Sequence, residues 1–244
     1  MTGPVKILVT MFHGSTAINE APIRANLQDA DTGPYGLRAA SGGLAWLDTI
    51  IVSIHTVPDP CERGPQELLE IAEQHGADFS DIRAWIVIGS GTSCPVTGGA
   101  EMSPVTYSTK AGPRELWFAN LGRAADAQSF RHAIGHCLGF GHATAFRFPN
   151  PFDPNGEISQ YADPASYMGS HDGPLRLLQR ELAGWILVPE GTLGTNVPPF
   201  KVRRAFDDWF YIERRGTSVD LLSTYLSGFL PQTRFIKTLI LGEE

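Results

Sequence analysis

Three histidines within an eleven-residue stretch constrain this chain more than any other feature of its sequence. His132 and His136 are four residues apart, so on an α-helix both imidazoles lie on the same face, one turn from each other. Gly139 follows where the backbone must leave the helix in a conformation that a side chain resists. A turn at this glycine lets His142 return towards the first two histidines.

This spacing predicts a metal site. A histidine pair at positions i and i+4 is by itself more often structural, but one cation explains the pair, the glycine and the third histidine together. Three neutral imidazoles with an open fourth position are typical of a catalytic zinc rather than a structural one. We therefore expect Zn²⁺ as the cofactor, bound by His132, His136 and His142.

Apolar periodicity predicts an α/β fold, because strand and helix patterns alternate along the chain. The segment 144–174 is rich in Pro, Asp and Gly and is predicted to be an irregular connection; such long loops are rare unless they serve a site. We predict a main domain over 1–186 and a small β-rich subdomain over 187–244. Strands are predicted at 5–11, 44–57, 84–88, 105–108, 115–120, 200–205, 209–214, 219–225 and 235–241, and helices at 65–75, 124–138 and 175–183.

The histidine string resembles a family signature. It matches the metzincin pattern H-E-x-x-H-x-x-G-x-x-H at every fixed position except the glutamate, where this chain has Ala133. The string D-P-A-S-Y-M-G at 163–169 resembles the Met-turn of that family, which implies that Met168 forms a hydrophobic floor beneath the metal. Among metzincins, the gametolysin or autolysin group is the most similar, on the strings S-G-G-L at 41–44, D-F-S-D at 78–81, L-A-G-W at 182–185 and F-Y-I-E-R at 210–214.

The resemblance implies a fold and a chemistry. The fold is zincin-like, of the α/β (α+β) class: a twisted mixed sheet with an active-site helix and a C-terminal helix, followed by a small β-rich subdomain. The chemistry is that of a zinc-dependent metalloendopeptidase, in which zinc activates water and the signature glutamate carries its proton. The methyl group of Ala133 cannot carry a proton, so hydrolysis by this chain is expected to be slower by about two to four orders of magnitude.

Two explanations of Ala133 stay open. In the first, which we favour, the natural protein has glutamate and this chain is an inactivated variant. In the second, the chain is a natural pseudopeptidase that acts as a zinc-containing module for binding peptide or protein. A third and weaker hypothesis is a hydrolase for a non-peptide amide, because the same zinc-water chemistry serves other acyl groups.

Other residues near the motifs are candidates for substrate contact. Tyr161 and Tyr167 could hydrogen-bond a tetrahedral intermediate, and His171 lies three residues after Met168. Tyr167 precedes Met168 rather than following it, so we do not assign it to the metal. The strand at 115–120 is predicted to form an exposed edge at the rim of a cleft, where an extended peptide could pair with it.

Composition narrows the partners and the compartment. The formal charge of −7 disfavours nucleic acid and anionic membranes, and no apolar stretch reaches the roughly 20 residues of a membrane span. The expected partner is therefore a peptide or protein substrate. Because the first residues lack the pattern of a signal peptide, we expect a cytoplasmic protein, or a secreted one if a leader has been removed.

The cysteine count allows at most one internal disulfide. The three cysteines are Cys61, Cys94 and Cys137, so one thiol is left over, which mildly favours a reducing compartment. Cys137 lies on the histidine helix and is expected to be a buried thiol. Zinc coordination by Cys137 is the alternative.

Overall fold

The chain divides into two compact units in the computed structural model. One unit comprises residues 2–139, and the other comprises residues 140–244 together with Met1. Among the residues described, no helix is both long enough and apolar enough to cross a membrane. The structure describes residues 1–14, 16–55, 59–90, 94, 98–101, 103–147, 157–159, 163, 166–170, 173–191, 199–205, 208–215, 218–227 and 230–240.

A mixed sheet forms the centre of the first unit. Its strands are β1 (Gly3–His13), β2 (Ala45–Ile54), β3 (Ala84–Ser90), β4 (Gly99–Ala100), β5 (Val105–Thr109) and β6 (Gly112–Gly122). The order is β2-β1-β3-β6-β4, and β5 also pairs with β6. The first three strands and β6 are parallel, whereas β4 and β5 run antiparallel to β6. All seven residues of β3 are buried, as expected for a central strand of a parallel sheet covered on both faces.

Helices pack against this sheet and place the histidine motif. They are α1 (Glu20–Thr32), α2 (Leu37–Ser41), α3 (Pro65–Gln74) and α4 (Ala127–Cys137), with a 3₁₀ helix at Pro60–Glu62. Leu69 of α3 belongs to one buried cluster with Trp85 of β3 and Phe118 of β6. Helix α4, which carries the first two histidines, packs against α1, β4 and β6. The sheet and α1 therefore fix the position of α4.

The second unit has its own six-stranded sheet. It contains β7 (Ala143–Arg147), β8 (Glu157–Ser159), α5 (Leu177–Leu182), β9 (Phe200–Ala205), β10 (Asp208–Arg215), β11 (Ser218–Ser227) and β12 (Leu230–Ile240). The order is β8-β7-β12-β11-β10-β9. Strands β9 to β12 pair antiparallel in chain order, whereas β12 pairs with β7 in parallel.

The predicted fold class is confirmed. The chain is a mixed α/β protein with a mixed sheet, with α4 inside the predicted helix 124–138 and α5 inside the predicted helix 175–183. The described residues between 200 and 240 lie in strands β9 to β12, as expected for the β-rich C-terminal part. The predicted domain boundary between residues 186 and 187 stays a prediction.

The prediction of an irregular connection over 144–174 is wrong in part. Residues 143–147 form β7, and residues 157–159 form β8, which pairs with it. Strand β7 also pairs with β12, where Thr233 lies opposite Ala143. Pairing with a strand so far along the chain cannot be recognised from the residues of β7 themselves. The local composition, rich in Pro, Asp and Gly, therefore predicted a loop.

The prediction of an exposed edge strand at 115–120 is also wrong. Strand β6 pairs with β3 on one side, and on the other side β5 and β4 pair with it in succession. Between these two partners, the backbone N–H of Glu101 donates to the carbonyl of Phe118 at 2.9 Å. The apolar pattern of residues 115–120 fits an inner strand as well as an edge, and a tight turn at Lys110 and Ala111 folds β5 back onto β6.

Candidate metal centre

A capping residue fixes the start of α4. The carboxylate of Asp126 accepts a hydrogen bond from the Ser129 backbone N–H at 2.8 Å and another from the Ser129 hydroxyl at 2.7 Å. The bond from the backbone N–H is the main cause that holds the pKa of the Asp126 carboxyl below its usual range. The cap satisfies a helix N–H that has no partner inside the helix, so it fixes the first turn, which directly precedes the turn that carries His132.

Side chains and a glycine hold the rest of α4. Arg131 is buried and forms an ion pair with Asp29 of α1. Near the C-terminal end, Arg83 Nε donates to the carbonyl of Cys137 at 3.3 Å. Gly139 then has a φ of +90°, in the left-handed region that favours glycine. The helix ends at Cys137, and the chain turns at Gly139, as the motif predicts.

The first two histidines of the motif direct their ring nitrogens to one point. The Nε2 atoms of His132 and His136 lie 3.0 Å apart, and the rings meet edge to face with centroids 4.7 Å apart. In a tetrahedral zinc site with bonds of about 2.0 Å, two ligand nitrogens are separated by about 3.3 Å. The distance between these nitrogens therefore fits coordination of one ion.

The third histidine completes a possible ligand group. One ring nitrogen from each of His132, His136 and His142 can be chosen so that all three lie within 4.8 Å of one another. His136 and His142 are buried, and His132 is half-buried. Three imidazoles form a donor set that suits zinc, and such a set leaves a fourth position for water or substrate.

Ala133 occupies the position between the first two ligands in sequence. Its side chain is 2% exposed, so it is buried in the helix packing. A methyl group in this position neither accepts nor donates a proton. The helix therefore presents metal donors without the carboxylate that the metzincin signature places there.

Hydrogen bonds connect the turn around Met168 to the residue after His142. The backbone N–H of Ala143 donates to the carbonyl of Met168 at 2.8 Å, and the N–H of Asp163 donates to the carbonyl of Ala143 at 3.3 Å. Met168 is completely buried. A Cβ atom on Gly169 would lie 2.3 Å from the Asp163 carbonyl, so only glycine fits the turn.

A buried ion pair holds the same turn from the other side. Arg176 Nε donates to one carboxylate oxygen of Asp163 at 2.6 Å, and the other oxygen accepts from the guanidinium at 2.5 Å. Both side chains are at most 1% exposed. Just beyond Arg176, Gln179 Nε2 donates to the carbonyl of Gly141 at 3.2 Å. Gly141 and Ala143, on the two sides of His142, are thus hydrogen-bonded to Gln179 and to the turn around Met168. The sequence does not identify Arg176 and Gln179 as part of the site.

The cysteines agree with the count-based prediction. Cys61 and Cys94 form a disulfide, and Cys137 is a free, buried thiol. Burial raises the pKa of Cys137 to about 12. In the described part of the chain, the ligand group at α4 consists of the three histidines and does not include this thiol.

Of the three residues predicted to contact substrate, the structure describes only Tyr167. Tyr167 is buried, and its backbone N–H donates to the carbonyl of Gly173 at 3.2 Å. Tyr161 and His171 lie outside the described residues. A role in substrate contact stays a prediction for all three.

Comparisons with known proteins add little to these observations. No family model matches the chain, and no curated protein matches it. Its structure is similar to the crystal structure of metalloproteinase-II from Bacteroides fragilis, with a TM-score of 0.42 and 15% sequence identity. The match covers 75% of this chain and 53% of that chain, so this chain spans about half the length of that protein. At this level of similarity, the assignment of function rests on the residues of this chain alone.

Proposed function

We propose that the chain binds Zn²⁺ through His132, His136 and His142, in a centre of the zinc metalloendopeptidase type that lacks its proton carrier. The observation that carries this proposal is the convergence of three imidazole nitrogens within 4.8 Å at the end of α4. The Met-turn proposal for residues 163–169 is supported by the hydrogen bonds between this segment and Ala143.

Zinc bound at such a centre polarises a carbonyl group and lowers the pKa of a coordinated water. The three histidines would hold the ion, and the N-cap of α4 and Gly139 after its end keep His132 and His136 in place. No carboxylate at position 133 takes the proton of the water or returns it to the leaving amine. We therefore expect this chain to bind a peptide and to hydrolyse it about two to four orders of magnitude more slowly than its glutamate-containing form.

The peptide is expected to pair with the edge of the first sheet rather than with β6. Strand β4 ends the strand order of this sheet, and α4 packs directly against it. An extended chain can add to such an edge through main-chain hydrogen bonds. A peptide bound there would lie beside the helix that carries His132 and His136.

The alternative function is that of a natural pseudopeptidase, a zinc-containing module for binding peptide or protein. Burial of Ala133 favours this alternative, because its methyl group is only 2% exposed to solvent. Both functions require the same metal centre. They differ in the expected effect of a glutamate at position 133: it gives peptide cleavage if the fold is that of an enzyme, and it does not if the chain is a binding module.

The substitution Ala133→Glu tests the enzymatic proposal. We expect it to raise peptide cleavage by about 100-fold to 10,000-fold, since it supplies the general base. Cleavage of a mixed peptide library, followed by mass spectrometry with and without chelator, measures the effect. Ala133→Gln is the matched control, because it has nearly the same size but accepts no proton from water. If Ala133→Glu binds zinc and cleaves no peptide in the library, the binding module is the correct function.

Metal binding is tested separately from turnover. We expect His136→Gln to lose the bound zinc, because two imidazoles leave the ion with too few ligands. Elemental analysis after dialysis against zinc measures this loss. His75→Gln is the control, because His75 lies at the exposed end of α3 and belongs to no described ligand group. Equal zinc content in both variants would contradict the ligand assignment.

A further inference from the structure

A second group of possible metal ligands lies in the first unit, away from the histidine motif in sequence. It comprises one carboxylate oxygen of Asp59 and the Sγ atoms of Cys61 and Cys94, all within 4.8 Å of one another. The two sulfurs form a disulfide, and all three residues are half-buried. Reductants and metal ions in solution can therefore reach the group.

The group lies at the carboxyl end of a parallel strand. Gly89 is the second-to-last residue of β3, and a Cβ atom built on it would lie 2.7 Å from the Cys61 sulfur and 2.9 Å from the Cys94 sulfur. Because Gly89 has no side chain, both sulfur atoms fit beside it. The carboxyl ends of parallel strands are where α/β sheets commonly bind ligands.

Neighbouring strand ends carry further polar groups. In the strand register, His13 of β1 lies opposite Ser90 of β3, and the ring of His13 stacks on that of His55 with centroids 4.1 Å apart. His13 is buried, and within the described residues its Nε2 atom has no hydrogen-bond partner. This end of the sheet therefore contains a buried imidazole nitrogen as well as the two sulfurs.

The backbone of Asp59 is held in an unusual conformation. Its φ of 26° makes it the one non-glycine residue with positive φ in the part of the chain that the structure describes. Such conformations are unfavourable for residues other than glycine and cluster at functional sites. In this conformation the carboxylate lies next to the sulfurs.

We propose that reduction of the Cys61–Cys94 disulfide creates a binding site for a zinc-like divalent metal ion. A dithiol reductant supplies two electrons and two protons, the S–S bond breaks, and the reductant becomes a disulfide. The metal then displaces one proton from each thiol and binds both thiolates and the Asp59 carboxylate. Water completes the tetrahedron, as is common for zinc with three protein ligands.

The backbone already brings the two thiolates within reach of one ion. The Cα atoms of Cys61 and Cys94 are 5.0 Å apart, and a Zn–S bond is about 2.3 Å long. Rotation of the side chains can therefore bring both sulfurs onto one ion. The disulfide and the metal site are mutually exclusive states of the same residues, so the metal protects the reduced pair from oxidation.

Cobalt(II) tests this proposal on the full-length chain. The protein is reduced, freed of reductant under argon and titrated with Co²⁺, and a second sample is titrated in its disulfide form. We expect the reduced protein to bind one more cobalt ion per chain and to gain a thiolate-to-cobalt charge-transfer band in the near ultraviolet. Imidazole ligands give no such band, so the result does not depend on the histidine centre.

Variants separate the ligands from the rest of the chain. Cys61→Ser and Cys94→Ser should each lose the charge-transfer band, and Cys137→Ala should keep it because that cysteine lies on α4. Asp59→Asn should keep the band but bind cobalt more weakly. Circular dichroism of each variant checks that it is folded. A reduced protein without the band, or a band lost in Cys137→Ala and kept in Cys61→Ser, would overturn the proposal.

Discussion

His13 shows how one buried side chain links the fold to pH. Its Nδ1 accepts a hydrogen bond from the Ile18 backbone N–H at 3.0 Å, so the neutral ring carries its proton on Nε2. Protonation of Nδ1 would break this bond. Burial is the main cause that lowers the pKa of His13 below 6.5, and neighbouring His55 lowers it further, while Glu20 acts in the opposite direction.

We predict that His13 makes the chain less stable in mild acid. As the pH falls below 6.5, the unfolded chain takes up a proton at His13 that the folded chain does not bind, so the free energy of unfolding decreases. The decrease stops below the pKa of the folded state. Urea unfolding between about pH 8 and about pH 5 measures this slope. His13→Gln should show a shallower slope; equal slopes in His13→Gln and the unsubstituted chain would contradict the prediction.

At the level of elements, the N-cap of α4 is expected to stabilise the histidine helix. Asp126→Ala removes the acceptor for the Ser129 N–H and should lower the free energy of unfolding by about 1 kcal/mol. Asp126→Asn keeps an acceptor and should change stability much less. Because hydrogen bonding lowers the pKa of Asp126 below 3.8, its contribution is complete above that pH and is lost as the pH falls through the lower value of the folded state.

Urea unfolding at neutral pH compares the two Asp126 variants with the unsubstituted chain. Equal losses in Asp126→Ala and Asp126→Asn would show that charge, rather than the hydrogen bond to Ser129, provides the stability. Zinc content gives a second measurement. Since α4 positions His132 and His136, fraying of its first turn should weaken zinc binding in Asp126→Ala more than in Asp126→Asn.

The elements predicted correctly are those with a strong local pattern. Helix α3 has an apolar face and a proline in its first turn, and the run of apolar residues in β3 is buried over its whole length. The errors at β6 and β7 concern strand pairing, which depends on residues far away in sequence. For the same reason, the histidine spacing predicted the possible ligand group from residues within one eleven-residue stretch, whereas the contacts of Asp163, Arg176 and Gln179 could not be predicted.

At the level of the whole molecule, each of the two units has its own sheet, and the metal motif lies where one ends and the next begins in sequence. Helix α4 and Gly139 belong to the first unit, and His142 belongs to the second. The residue after His142, Ala143, is hydrogen-bonded to the turn around Met168. The buried ion pair between Asp163 and Arg176 holds the turn around Met168. A metal centre of this kind is therefore sensitive to substitutions that contact no metal ligand.

We expect Arg176→Met to be the most damaging of the substitutions considered. It removes the guanidinium that pairs with the buried carboxylate of Asp163 and should lower the free energy of unfolding by about 3–5 kcal/mol. Arg24→Met is the control, because the Arg24–Glu20 pair is exposed and such pairs contribute at most about 1 kcal/mol. Urea unfolding measures both losses. The double variant Asp163→Asn with Arg176→Met removes the buried negative charge as well and should recover part of the stability. A loss in Arg176→Met no larger than that in Arg24→Met would show that the buried pair does not hold the turn that carries Met168.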